Sequence, residues 1–259
     1  MLSLIKSKRF LTSLLFGIFG FCGSFVYNFT PLFRFTSEAM ETVLNESLGE
    51  LLPVLISSAF FGLLITFISY YVGDIFREKL SLTNNKIDKK GVIAILIAGL
   101  VIPICIGIFD FMTYGTYSDG FFDVFYSLVN TSTSIVYNGI IEEIWFRFGF
   151  LPFMIYTIYK VFNRGVNNTD GKIDKKYYLY GLIFTVLFLF VFQFTTIVKM
   201  EYFSFGLLLR LVLVYLLPNF IYSGLYLKYS LKISMLTHSL FVIMYAGVVP
   251  YILSYFIVF

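Results

Sequence analysis

The chain has 259 residues, 59% apolar, 21% aromatic and only 13% charged, with a mean hydropathy of +0.86. A soluble fold cannot hide so large an apolar fraction. A bilayer core about 30 Å thick takes about 20 apolar residues per helix, so residues 1–259 read as one integral membrane domain. The net charge of +4 comes from lysines and arginines concentrated in short connections, which points to the lipid bilayer as partner and to no nucleic acid.

The apolar stretches run unbroken instead of alternating every second residue, which favours helices over a β-barrel. The first follows Lys6-Ser7-Lys8-Arg9 and extends from Phe10 to about Tyr27; lacking a small-x-small cleavage site, it reads as a retained span. Further runs cover roughly Leu51 to Val72, Gly91 to Met112, Gly139 to Phe162, Leu179 to Val198, Phe203 to Leu227 and Met235 to Phe259, which makes seven spans. Phe121 to Asn138 begins apolar and then carries Asn130, Thr131, Ser132, Thr133 and Ser134, the composition of an eighth, partly buried or interfacial helix. The expected fold is therefore an all-α polytopic transmembrane bundle of seven to eight helices. Cys22 and Cys105 both fall in apolar runs, where a thiol behaves as a small hydrophobe.

With seven spans, the basic segments Lys6 to Arg9, Arg77 to Lys90, Arg164 to Lys176 and Lys228 to Lys232 share one side, and the positive-inside rule makes that side the cytoplasm. The expected protein is a multi-pass cell-membrane protein with a cytoplasmic N-terminus. The acidic first loop, with Glu38, Glu41, Glu46 and Glu50, then faces outward. Lys-Ile-Asp-Lys-Lys occurs at 86–90 and again at 172–176, which coincidence among lysine-rich loops explains adequately and an ancient duplication would also explain.

Ionisable groups inside a span cost about 2.5 to 3.5 kcal/mol each on insertion scales, so each asks for a reason. Three fall within six residues in Glu142-Glu143-Ile144-Trp145-Phe146-Arg147. Glu143 and Arg147 are four apart and share a helix face, so they can pair. Glu142 is rotated about 100° away and lacks that partner. Desolvation disfavours its charged form, the condition in which a carboxylate serves as a general base near neutral pH. The alternative is a snorkelling triplet that marks a helix end. His238, the only histidine, stands near the start of the last run and is either a helix-packing residue or a group that positions water or stabilises an oxyanion. One histidine and two adjacent glutamates fall short of a zinc shell, so neither a metal nor a cofactor is expected.

Glu142-Glu143-x-x-x-Arg147 followed by an intramembrane histidine resembles the CAAX-protease and bacteriocin-processing family (CPBP, or Abi), polytopic intramembrane endopeptidases. The resemblance covers roughly Asn138 to Ala246, within a core of about 121–259. It implies that Glu142 is the base activating water, that Glu143 and Arg147 support it, and that His238 is the histidine of the third motif. Where the second motif has Phe-x-x-x-His, this chain has Leu189 and Gln193, and Val242 stands where many relatives have asparagine. The expected substrate is a membrane-associated protein or peptide, such as a prenylated C-terminus or a leader peptide. The departures motivate an alternative, a catalytically silent relative serving as immunity protein or scaffold; buried charges alone would also suit a small transporter.

Glu142 opens one apolar run and His238 another three spans later, on opposite sides of the membrane. They can meet only near the midplane, which requires the glutamate helix to begin around Asn130 to Ser134 and the last helix near Ser230.

Overall fold

The computed structural model describes residues 2–29, 37–80, 82, 86–114, 130–163, 173–198, 208–209 and 211–257. Among these residues there is no strand, and seven helices carry the fold. Helix α1 is Leu2–Phe29, α2 is Ser37–Lys79, α3 covers 89–114, α4 covers 130–162, α5 is Lys175–Val198, α6 covers 211–228 and α7 covers 231–257. Five of them contain stretches long and apolar enough to cross a bilayer: Lys8–Asn28, Leu52–Lys79, Lys89–Phe109, Lys175–Phe192 and Leu231–Leu253. Their outer faces expose large apolar side chains such as Leu15, Phe60, Phe61, Phe184 and Val191, a surface that water would not tolerate and lipid solvates. The chain is an all-helical membrane protein. α6, with its apolar part Val212–Lys228, is shorter, and α4 carries the charged cluster.

Two expected boundaries move. The acidic segment with Glu38, Glu41, Glu46 and Glu50 is not a loop but the beginning of α2, whose 43 residues rise about 65 Å, twice the hydrocarbon thickness. Its Glu, Ala, Met and Leu content favours helix whether or not lipid surrounds it. Asn130 to Asn138 form no separate eighth helix but the first turns of α4, because nothing in that run breaks a helix; Phe121 to Val129 lie outside the described residues. α7 begins at Leu231 after Ser230, so the helix starts needed for Glu142 and His238 to approach one another are those present.

Both Lys-Ile-Asp-Lys-Lys segments end at a helix start, with the aspartate just before the first helical residue. Asp88 accepts the Gly91 amide at 2.8 Å, capping α3. Asp88 also accepts from Tyr229 Oη and pairs with Lys228 at 2.9 Å, fastening the start of α3 to the turn between α6 and α7. Arg9 pairs with Asp74 at 2.6 Å and Glu78 at 2.7 Å, and Tyr178 donates to the Leu80 carbonyl at 2.9 Å. These ties gather basic segments of the N-terminus and connections at one end of the bundle.

Small residues let the helices approach. A Cβ on Gly62 would stand 2.7 Å from the Gly20 carbonyl oxygen, so α1 and α2 meet backbone to backbone. α4 packs against α1, α2, α5, α6 and α7, which puts it at the centre. The buried cluster of Phe148, Leu151, Ile155, Leu182, Val186 and Tyr226 fills the space between α4, α5 and α6.

Candidate active site

α4 does not keep a uniform α-helical pitch. Ile135–Ile141 and Ile144–Phe150 are π-helical, flanking Glu142 and Glu143. A π-turn is wider than an α-turn, so residues four apart drift less around the axis than α-turns on both sides would make them. Asn130, Ser134, Asn138, Glu142 and Phe146 consequently all line one cavity of about 360 Å³, whose other walls come mainly from α6 and α7, with Tyr27 of α1 and Leu189 of α5. Gly139 makes the approach of α7 possible, since a Cβ there would lie 3.2 Å from Ser239 Cα and closer still to its hydroxyl.

The two glutamates take different surroundings. Glu143 is fully buried and Arg147 is 1% exposed, and they pair at 3.1 Å between Nη1 and Oε1. The same Oε1 lies 2.8 Å from His238 Nδ1, and Oε2 accepts from the Ser234 hydroxyl, which also lies 3.1 Å from the Tyr222 carbonyl. Arg147 Nη2 donates to Asn219 Oδ1, while Asn219 Nδ2 donates to the Tyr215 carbonyl at 2.6 Å. The Tyr222 ring stacks on the His238 imidazole at 4.7 Å and carries the Arg147 guanidinium at 5.5 Å. Glu143 therefore ties α4 to α7 directly and, through Arg147, to α6. Such a pair is costly to desolvate and is retained only when further hydrogen bonds satisfy both ions, as they do here.

Glu142 is half-buried, lines the cavity and has no ion-pair or hydrogen-bond partner among the described residues. With Nδ1 held against Glu143, a neutral His238 keeps its proton there and presents Nε2 as an acceptor. His238 also lines the cavity, its side chain 13% exposed. Two donors of cavity-lining residues, Arg147 Nε and Tyr222 Oη, are buried without hydrogen-bond partners among the described residues. Val242, one turn after His238, forms apolar wall. Gln193 lies on α5, but its side chain is outside the described residues; Leu189, one turn before it, borders the cavity.

The structure thus brings Glu142, Glu143, Arg147 and His238 to one place. It adds Ser234, Asn219 and Tyr222 to that group. Ser234 precedes His238 by four residues and so shares its face, and Asn219 interrupts an apolar run; either was a usable signal. Among the described residues, no three His, Cys, Asp or Glu side chains are grouped to hold a metal ion. No protein-family model, no curated protein and no solved structure matches the chain.

Proposed function

We propose that the chain is an intramembrane endopeptidase of the CPBP type, with all seven helices crossing the membrane and the N-terminus in the cytoplasm. The observation that carries this reading is the division of labour between adjacent carboxylates. Glu143 is committed to Arg147, His238 and Ser234, while Glu142 stands unpaired on a polar cavity large enough for water and a peptide segment. Glu142 takes a proton from water as the water oxygen bonds to the carbonyl carbon, then returns it to the amide nitrogen as the C–N bond breaks. His238 Nε2 accepts the second water hydrogen and orients the oxygen. The unpartnered donors of Arg147 and Tyr222 are of the kind that a developing oxyanion uses in a water-poor site. The substrate is a membrane-associated protein or peptide.

A second reading, a catalytically silent relative acting as immunity protein or scaffold, draws support from Val242, an apolar wall residue where many members of that family carry asparagine. Comparison of wild type with Glu142→Gln and with His238→Ala in matched membranes separates the two, with peptide termini identified by mass spectrometry. Termini that vanish in both variants at equal expression are the expected result. A termini profile indifferent to Glu142 would overturn the peptidase reading and leave the scaffold.

A further inference from the structure

Glu142 borders a second cavity. This one holds about 600 Å³ between α2, α4 and α5, and its wall is built chiefly from Phe61, Ile65, Trp145, Phe150, Phe188 and Phe192. Among the described residues, Glu142 is the only acidic or basic side chain on that wall, and Glu142 and Phe146 are the residues it shares with the polar cavity. They stand one turn apart on α4 and form the partition between the two spaces.

The aromatic wall is held in place. Trp145 Nε1 donates to Thr66 Oγ1 at 2.7 Å, fixing the indole against α2, and the Phe150 ring packs on Phe188 of α5 at 4.9 Å. Phe61, Phe188 and Phe192 remain 59%, 45% and 57% exposed on the outer faces of α2 and α5, so the cavity opens sideways towards lipid. A lipid tail could enter, but seating it against a carboxyl desolvates that group and returns no hydrogen bond. A peptide brings both an apolar side chain for the aromatic wall and backbone polar groups for the partition.

Resting on the endopeptidase reading, we propose that the aromatic cavity receives a large apolar side chain of a bilayer-embedded peptide segment. Its neighbouring peptide bond crosses the partition beside Glu142, and water reaches that bond and the same carboxylate from the polar side. The arrangement keeps the greasy substrate and the water apart until both touch one group, which supplies the orientation that hydrolysis in a membrane needs.

The test places the photoreactive residue p-benzoylphenylalanine at Phe188, and separately at Phe61, in full-length Glu142→Gln protein in native membranes. The expected adducts are peptides spanning the sites whose cleavage in wild type depends on Glu142, with a large apolar residue beside the cut. Adducts to phospholipid alone, while Glu142-dependent termini persist in wild type, would overturn the proposal and leave the peptidase reading standing. Absence of any Glu142-dependent terminus would instead remove that reading, and the proposal with it. As a second arm, Ile65→Trp narrows the cavity from the α2 side and is expected to lower those termini about tenfold at equal expression. Unchanged yields in that variant would count against an occupied cavity.

Discussion

Replacing Arg147 by methionine removes the cation from a buried carboxylate and keeps most of the side-chain volume. At the observed 3.1 Å separation, Coulomb attraction with an effective dielectric near 20 is about 5 kcal/mol. Part of that offsets the desolvation of two ions, but the single substitution leaves Glu143 charged, 0% exposed and short of its main partner. Loss of one member of a buried pair typically costs about 3–5 kcal/mol. For a chain of this size that corresponds to a fall in Tm on the order of 10 °C. The double variant Glu143→Gln/Arg147→Met has no orphaned charge and should recover a substantial part of the loss, despite the weakened bonds to His238 and Ser234. Thermal unfolding of detergent-solubilised single and double variants, followed by circular dichroism, checks both statements. A single variant that melts with wild type, or a double variant less stable than the sum of the singles, would refute the reasoning.

Gly139→Val should wedge α4 from α7 at the Ser239 contact, costing about 1–3 kcal/mol by overpacking and separating Glu143 from His238; unfolding midpoints and a cysteine-pair cross-linking yield between α4 and α7 would read it. Thr66→Val removes the acceptor of the Trp145 indole at the cost of about 1 kcal/mol, and because Trp145 is the only tryptophan, its fluorescence emission should shift with that one change. Asp88 outside the membrane spans is held well below the usual carboxylate range, first by the Tyr229 hydroxyl, then by Lys228 and the Gly91 amide. A depressed folded value means that its contribution is complete above the unfolded value of about 3.9 and is lost only as pH falls further, through the folded value. The stability gap between wild type and Asp88→Asn should accordingly stay constant from pH 8 to about 5 and close only in stronger acid, as pH-dependent melting curves would show.

Membrane helices are legible because lipid imposes one demand on every residue of a span, apolarity over a fixed length. α1, α3, α5 and α7 accordingly fall close to the apolar runs at Phe10, Gly91, Leu179 and Met235. Hydropathy does not report helix beyond the lipid, so it missed the first turns of α2, where Ser37 to Glu50 are too polar to count as span, and the start of α4 near Asn130 was legible only through the requirement that Glu142 and His238 meet. The Glu143–Arg147 pair was legible from i,i+4 spacing, a property of one helix. The partners of that pair on α6 and α7 were not, since Asn219 and Ser234 lie 72 and 91 residues from Arg147 and Glu143 respectively and no local pattern links them.

The amino-acid sequence by itself determined a helical membrane protein with a charged cluster in an apolar setting, because length, hydropathy and helical spacing are local quantities. That the unpaired Glu142 faces a cavity, and that it parts a polar space from an aromatic one, only the tertiary structure decided. Those features depend on the π-helical phase of α4 and on the close approach of α7 over Gly139, where contacts from three helices must be met at once.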